Sequence, residues 1–189
     1  MKLVGISGSL RKGSYNTALL RAAAGLTPEG VALDVVTLEG VPLYDGDLES
    51  RDSLPPAVAA LKEAIVAADG VLLVTPEYNS GIPGVFKNAI DWTSRPGSDI
   101  ARVWGGRPVA VIGASQGGFG TVLSQNAWLT VLHKLGAAQW HGAQLMVSRA
   151  QGVFDADGAL IDDKVRGQLA AFLAAFAQSL TDNQSLTAK

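Results

Sequence analysis

Three short stretches carry residue types that could do chemistry, and none of them is a proton-transfer constellation. The first is Gly8-Ser9-Leu10-Arg11-Lys12-Gly13-Ser14-Tyr15-Asn16-Thr17, which joins an apolar run to an Ala/Leu-rich segment. A helix starting here offers unpaired N–H groups and the positive end of its dipole, a seat for a phosphate. Ser9, Ser14, Asn16 and Thr17 would add neutral donors, and Arg11 a charge-assisted bond. The stretch is neither a Walker A loop nor a GxGxxG fingerprint. Its bland reading is a polar turn with a Ser or Asn cap.

The second stretch is Thr75-Pro76-Glu77-Tyr78-Asn79-Ser80-Gly81-Ile82-Pro83-Gly84. Its two prolines and two glycines set an unusual backbone course, in which main-chain N–H groups can face a ligand. Tyr78 brings a flat apolar face suited to an aromatic ring. Taken alone, the stretch reads equally well as an ordinary strand-to-helix turn.

The third, Gly113-Ala114-Ser115-Gln116-Gly117-Gly118, has the spacing of a nucleophile elbow between a strand and a helix. That reading needs an acid and then a histidine after the serine. His133 and His141 are the two histidines, and no carboxylate lies between Ser115 and His141. The hydrolase reading therefore fails on residue order. Neither histidine has a metal-spaced partner, so both read as structural or surface. Asp155-Ala156-Asp157-Gly158 lacks the later ligands of a calcium loop and reads as a turn. The acidic segment 45–52 reads as a solvated loop.

The elements that must position these stretches alternate between two periods. Apolar runs at 2–7, 31–38, 70–75, 108–113 and 138–147 read as strands. Helical patterns cover 16–26, 55–68, 84–93, 120–135 and 162–180, with loops at 41–53 and 94–106. Apolar strands each followed by a helix predict a parallel sheet covered on both faces. Such sheets bind ligands beyond the carboxyl ends of their strands, which is where all three stretches fall. Residues 1–181 read as a single domain and 182–189 as a polar tail.

Composition excludes several classes. The 189 residues contain no cysteine, so disulfides, Cys-ligated metals and thiolate nucleophiles are ruled out. A net charge of −2 leaves no basic footprint for nucleic acid. No run is long and apolar enough for a signal peptide or membrane insertion, so a cytoplasmic protein is expected. Charged residues make up 17%, against about 25% in ordinary soluble domains. From Pro108 to Ser148 the only charge is Lys134, and the helix at 120–135 is apolar on more than one face. That surplus of apolar surface predicts a homodimer, or a homotetramer.

Gly8-Ser9-Leu10-Arg11…Ser14…Asn16, then Pro76-Glu77-Tyr78-Asn79 and Lys87-Asn88-Ala89-Ile90-Asp91-Trp92, resembles the NAD(P)H-dependent FMN reductase family. Within it the likeness is to bacterial chromate/quinone reductases and related azoreductases. The resemblance implies an α/β fold: a flavodoxin-like, doubly wound three-layer sandwich with a five-stranded parallel sheet in the order 2-1-3-4-5. It implies non-covalent FMN, with NADPH or NADH as co-substrate and small-molecule electron acceptors such as quinones, azo compounds or chromate. Ser9, Arg11, Ser14, Tyr15 and Asn16 would then surround the FMN phosphate and ribityl chain. Pro76, Glu77, Tyr78 and Asn79 would pack along the isoalloxazine, and Ser115 would close its other side. The glycines at 8, 13, 81, 84, 113, 117 and 118 would let the backbone approach the flavin. No side chain is expected to be a nucleophile or a metal ligand, because the flavin carries the redox chemistry in a ping-pong cycle. A flavodoxin-like electron carrier and a non-catalytic flavin-binding sensor are the competing readings. Relatives carry arginines in the helix at 120–135, where this chain has Leu123-Ser124-Gln125 and Leu129-Thr130.

Overall fold

In the computed structural model, which describes residues 1–51 and 54–187, the apolar runs form one parallel sheet. Its strands are β1 (Lys2–Ser7), β2 (Ala32–Val36), β3 (Gly70–Val74), β4 (Pro108–Ala114), β5 (Ala138–Gln139) and β6 (Met146–Val147). The order is β2-β1-β3-β4-β5, as expected of a flavodoxin-like sheet, and β6 also pairs with β4. Helices α1 (Tyr15–Ala24), α2 (Gly46–Arg51), α3 (Pro56–Val66), α4 (Gly84–Thr93), α5 (Ile100–Val103), α6 (Val122–Leu135) and α7 (Asp163–Thr187) complete the chain.

Alternation along the central strands produces the layers, because successive side chains leave a strand on opposite faces. Leu3, Leu72, Val74, Ala110 and Ile112 enter one core with Leu19 and Leu20 of α1 and Leu169, Phe172 and Phe176 of α7. Val4, Ile6, Val71, Leu73 and Val109 enter the other, with Leu61 and Ile65 of α3, Phe86 and Ile90 of α4, and Trp128 and Leu132 of α6. Each such aliphatic side chain contributes on the order of 1.5–3 kcal/mol when fully buried. The helix faces follow from this arrangement. Trp128 and Leu132 of α6 are buried, while Leu123 and Leu129 remain exposed.

Several elements depart from the expected boundaries, each for a local reason. The run 138–147 is not one strand: β5 pairs with Pro108 and Val109, β6 with Gly113 and Ala114, and the chain between leaves the sheet. Trp140 drives this departure. Its indole folds over Gly142, where a Cβ would lie 2.6 Å from the ring, and packs on Phe172 and Phe176 of α7.

The loop 41–53 contains α2, with residues 52–53 outside the described part. Asp45 accepts the Asp47 N–H, and Glu49 takes the Tyr44 hydroxyl and the Arg95 guanidinium, so this acidic segment is not simply solvated. Carboxylates near a helix start are favoured by its unpaired N–H groups. The loop 94–106 likewise holds a 3-10 turn at Gly97–Asp99, followed by α5. The last helix continues past residue 180 to Thr187, and 188–189 lie outside the described residues. No helix among the described residues is long and apolar enough to cross a membrane.

Candidate functional site

The loops after β1, β3 and β4 meet at the carboxyl edge of the sheet around a cleft of about 470 Å³. Ser9, Arg11, Ser14, Tyr15, Asn16, Pro76, Glu77, Tyr78, Asn79 and Ser115 all line it. Ser80, Ala114 and the run from Gln116 to Gly120 also line it; of these, sequence reasoning points to Gly117 and Gly118 but not to Ser80, Ala114, Gln116, Phe119 or Gly120. Phe119 is 85% exposed on this lining, a large apolar ring with nothing of its own chain to cover it. Its setting between Gly117-Gly118 and Gly120 was the available signal.

At one end of the cleft stands the start of α1. Ser14 caps the helix, its Oγ accepting the N–H groups of Asn16 and Thr17 at 3.2 and 3.3 Å. Because those contacts use only oxygen lone pairs, the Ser14 hydroxyl hydrogen is left to donate into the cleft. Ser9 is buried and accepts the Arg11 N–H at 3.3 Å, which folds the loop back on itself. The Arg11 guanidinium lies over the Tyr15 ring, 5.5 Å from its centroid.

Asn16 is committed elsewhere. Its Nδ2 donates to the Ala114 carbonyl at 2.8 Å, and its Oδ1 accepts the Ala114 N–H at 2.9 Å. Asn16 therefore fastens α1 to the end of β4, joining the first loop to the third, and what it presents to the cleft is not a free amide.

The second loop turns tightly. Tyr78 and Gly81 exchange both backbone hydrogen bonds at 3.1 Å, and Asn79 and Ser80 both have positive φ, 50° and 62°. A two-residue hairpin of this hand requires that conformation at both central positions. The turn leaves Tyr78 half exposed on the cleft wall.

Glu77 points its carboxylate at α6, where Oε2 accepts the N–H groups of Leu123 and Ser124 at 2.8 and 3.0 Å. The residue preceding α6, Thr121, makes no side-chain cap of its own, so Glu77 supplies it from another loop. Below it, the Thr75 hydroxyl meets Ser124 Oγ at 2.8 Å and accepts from Trp128 Nε1 at 3.1 Å. These bonds tie the second loop to α6.

Arg11 and Glu77 are the charged residues on the lining. With the Glu77 carboxylate turned onto the N-terminus of α6, the cleft has a cation and the start of α1 at its other end. Pro76, Tyr78 and Phe119 offer apolar surface elsewhere. That combination fits a ligand with an anionic group on a flat aromatic body. No cluster of His, Asp or Glu among the described residues could hold a metal ion. Ser115 Oγ donates to the Gly120 carbonyl at 2.5 Å, and both histidines are exposed away from the cleft lining, so the elbow spacing is not a triad.

Two groups of motif residues serve the scaffold instead. Gly8 and Gly113 are packing glycines: a Cβ would lie 2.2 Å from Phe86 Cδ1 at the first and 2.1 Å from the Thr75 carbonyl oxygen at the second. Of the seven glycines expected near a ligand, Gly117 and Gly118 line the cleft. In the Lys87–Trp92 motif, Asn88 holds the Pro42 carbonyl and the Tyr44 N–H, each at 2.8 Å, and Trp92 Nε1 donates to Pro42 at 2.9 Å. The motif anchors the loop after β2.

Comparison with known proteins identifies the family. A family model described as NADPH-dependent FMN reductase matches residues 1–152, so α7 lies beyond the match. An NAD(P)H-dependent FMN reductase of Pseudomonas aeruginosa is 46% identical over 166 residues, covering 88% of each chain. A 2-hydroxy-1,4-benzoquinone reductase of a Burkholderia species is 37% identical over 184 residues, covering 97% of this chain and 98% of its own. Among solved structures, the NAD(P)H:(acceptor) oxidoreductase FerB of Paracoccus denitrificans superposes with a TM-score of 0.84 at 32% identity, over 96% of this chain and 97% of that one.

Proposed function

The chain belongs to the NADPH-dependent FMN reductase family, and from that premise we propose that it is an FMN-dependent NAD(P)H oxidoreductase that passes two electrons to quinones. The observation that carries this reading is the joint lining of one cleft by three loops, cationic at the α1 end and apolar beside Tyr78 and Phe119. Ser14, Ser9 and Arg11 hold the phosphate there. The backbone of Pro76–Asn79 and the third loop around Ser115 border the ring. Asn16 and Glu77 act from behind, fixing the loops to β4 and α6.

FMN held by Ser9, Arg11 and Ser14 would supply the redox chemistry, a two-electron transfer between nicotinamide and acceptor. The protein's part is to bind, orient and exclude water. No lining residue is required as a general acid or base, in keeping with a lining whose two charged groups are an arginine and a capped carboxylate.

The finer reading extends to azo compounds and chromate as acceptors and to a ping-pong cycle, in which donor and acceptor use the same open face in turn. The exposed Leu123 and Leu129 on α6 support a homodimer, or a homotetramer, packed through that helix. Residues 1–181 act as one FMN-binding unit in a cytoplasmic protein, with 182–189 outside it.

The test is direct. Purified protein should be yellow with a flavin spectrum and should oxidise NADH or NADPH faster when a quinone is present. Protein that takes up no flavin from solution, or that binds it without oxidising either nucleotide, would overturn the reading. Double-reciprocal plots that converge rather than run parallel would remove the ping-pong cycle alone.

A further inference from the structure

We infer that Phe154 is a positioning residue for the flavin phosphate, acting through Tyr15 on Arg11. This rests on the proposed flavin site and adds a residue that does not itself line the cleft. Phe154 is buried, and its ring stacks on that of Tyr15 with centroids 6.0 Å apart and planes 26° apart. Tyr15 stands in the first turn of α1 and lines the cleft, and the Arg11 guanidinium lies over its ring.

An exposed arginine has many rotamers, and ordering it on an anion has an entropic cost. A guanidinium is planar and weakly hydrated, so an aromatic face can hold it in advance. The ring can do so only if it is itself held. Tyr15 lines the cleft and is only partly buried, and Phe154 supplies the backing.

Phe154 is fixed by a small hairpin. It bridges Leu160, Ile161 N–H donates to the Val153 carbonyl, and Asp155 N–H donates to the Ala159 carbonyl. At the tip, Asp155 Oδ1 accepts the N–H groups of Asp157 and Ala159 at 3.0 and 2.8 Å, and Gly158 has φ 83°. The short acidic turn is thus a brace that presses an aromatic side chain against the helix carrying the phosphate loop. The base of the hairpin is tied to the third loop as well, since Arg149 N–H donates to Gly117 O and Ala150 N–H to Ser115 O.

The experiment compares FMN with riboflavin, which lacks the phosphate, binding to flavin-stripped protein, followed by flavin fluorescence. Wild type should prefer FMN. Phe154→Leu should lower that preference about three- to fivefold, through weaker FMN binding, with riboflavin affinity nearly unchanged. In an Arg11→Ala background the same substitution should change the preference no further. Phe154→Met, similar in volume to leucine but unbranched and better able to fill an irregular gap, serves as a second variant if leucine impairs folding, which thermal unfolding reports. A preference that survives both substitutions, or equal loss of FMN and riboflavin, overturns the inference while leaving the flavin site standing. Wild type that binds neither flavin overturns the site and the inference together.

Discussion

The side chain of Asn16 and the backbone of Ala114, 98 residues apart, exchange two hydrogen bonds of 2.8 and 2.9 Å. This pair closes the cleft from behind, because one partner starts α1 and the other ends β4. Removing one side of it leaves a buried N–H and a buried carbonyl unpaired. Asn16→Ala should therefore destabilise the protein by about 2–4 kcal/mol, read as a lower urea midpoint. Flavin affinity should fall with it. Full stability in the alanine variant would mean that the two elements are held together by something else.

Glu77 connects the cleft to α6. Alanine there uncaps Leu123 and Ser124, at a cost of about 1–2 kcal/mol, whereas glutamine keeps an acceptor oxygen and loses only the charge. Glu77→Ala should weaken FMN binding because the Tyr78 turn is no longer anchored, and Glu77→Gln should retain most of it. Equal FMN dissociation constants for alanine and wild type would remove the anchoring role.

Gly8 and Gly113 differ in what a methyl group would strike. At Gly8 the obstacle is the buried Phe86 ring, a side chain rather than backbone, so Gly8→Ala should cost about 1–3 kcal/mol. Phe86→Leu in the same protein should recover part of that. At Gly113 the obstacle is the Thr75 carbonyl, main chain just beyond the end of the neighbouring strand β3. Gly113→Ala should be the more damaging substitution, and a side-chain truncation at position 121 should not rescue it. Comparing the melting temperatures of the two variants checks the order.

Lys62 is almost wholly buried, donates to the Arg95 carbonyl, and pairs with Asp99 at 2.5 Å. Hydrogen bonds from Arg102 and then Lys62 hold the Asp99 carboxyl well below the usual carboxylate range. A carboxyl whose folded pKa is depressed contributes stability that is complete above its unfolded value, about pH 4, and is lost as the pH falls through the folded one. Asp99→Asn should destabilise by about 3 kcal/mol at pH 7, since it strands a buried ammonium. The gap from wild type should narrow below about pH 4. Urea midpoints at pH 7 and pH 3 test both parts, and a gap that widens in acid would contradict the assignment.

Much of the fold was legible because burial leaves a periodic mark. Leu72 and Leu73 go to opposite cores, as a strand apolar throughout requires, and the strand order matches the flavodoxin-like expectation. The ten expected site residues also share one cleft. What local pattern could not show was the interruption at Trp140, whose packing on Phe172 and Phe176 depends on a helix more than twenty residues further on. The helix at Gly46–Arg51 was hidden for a related reason: its carboxylates look solvated until Tyr44 and Arg95 are brought to them.

By itself the sequence determined the main strands and helices of the sheet and its two layers, which loops gather at the sheet's carboxyl edge, and which family the chain resembles. Those depend on residue type and spacing along the chain. Only the tertiary structure decided what each loop residue does once it is there. Asn16 and Glu77 look alike in sequence as polar residues beside a ligand, yet their side chains are used on Ala114 and on the start of α6. Phe154 gave no functional signal at all, and it stacks on Tyr15. The physical reason is that a hydrogen-bonding or stacking partner is chosen by proximity in space, and sequence spacing carries no record of contacts made across a hundred residues.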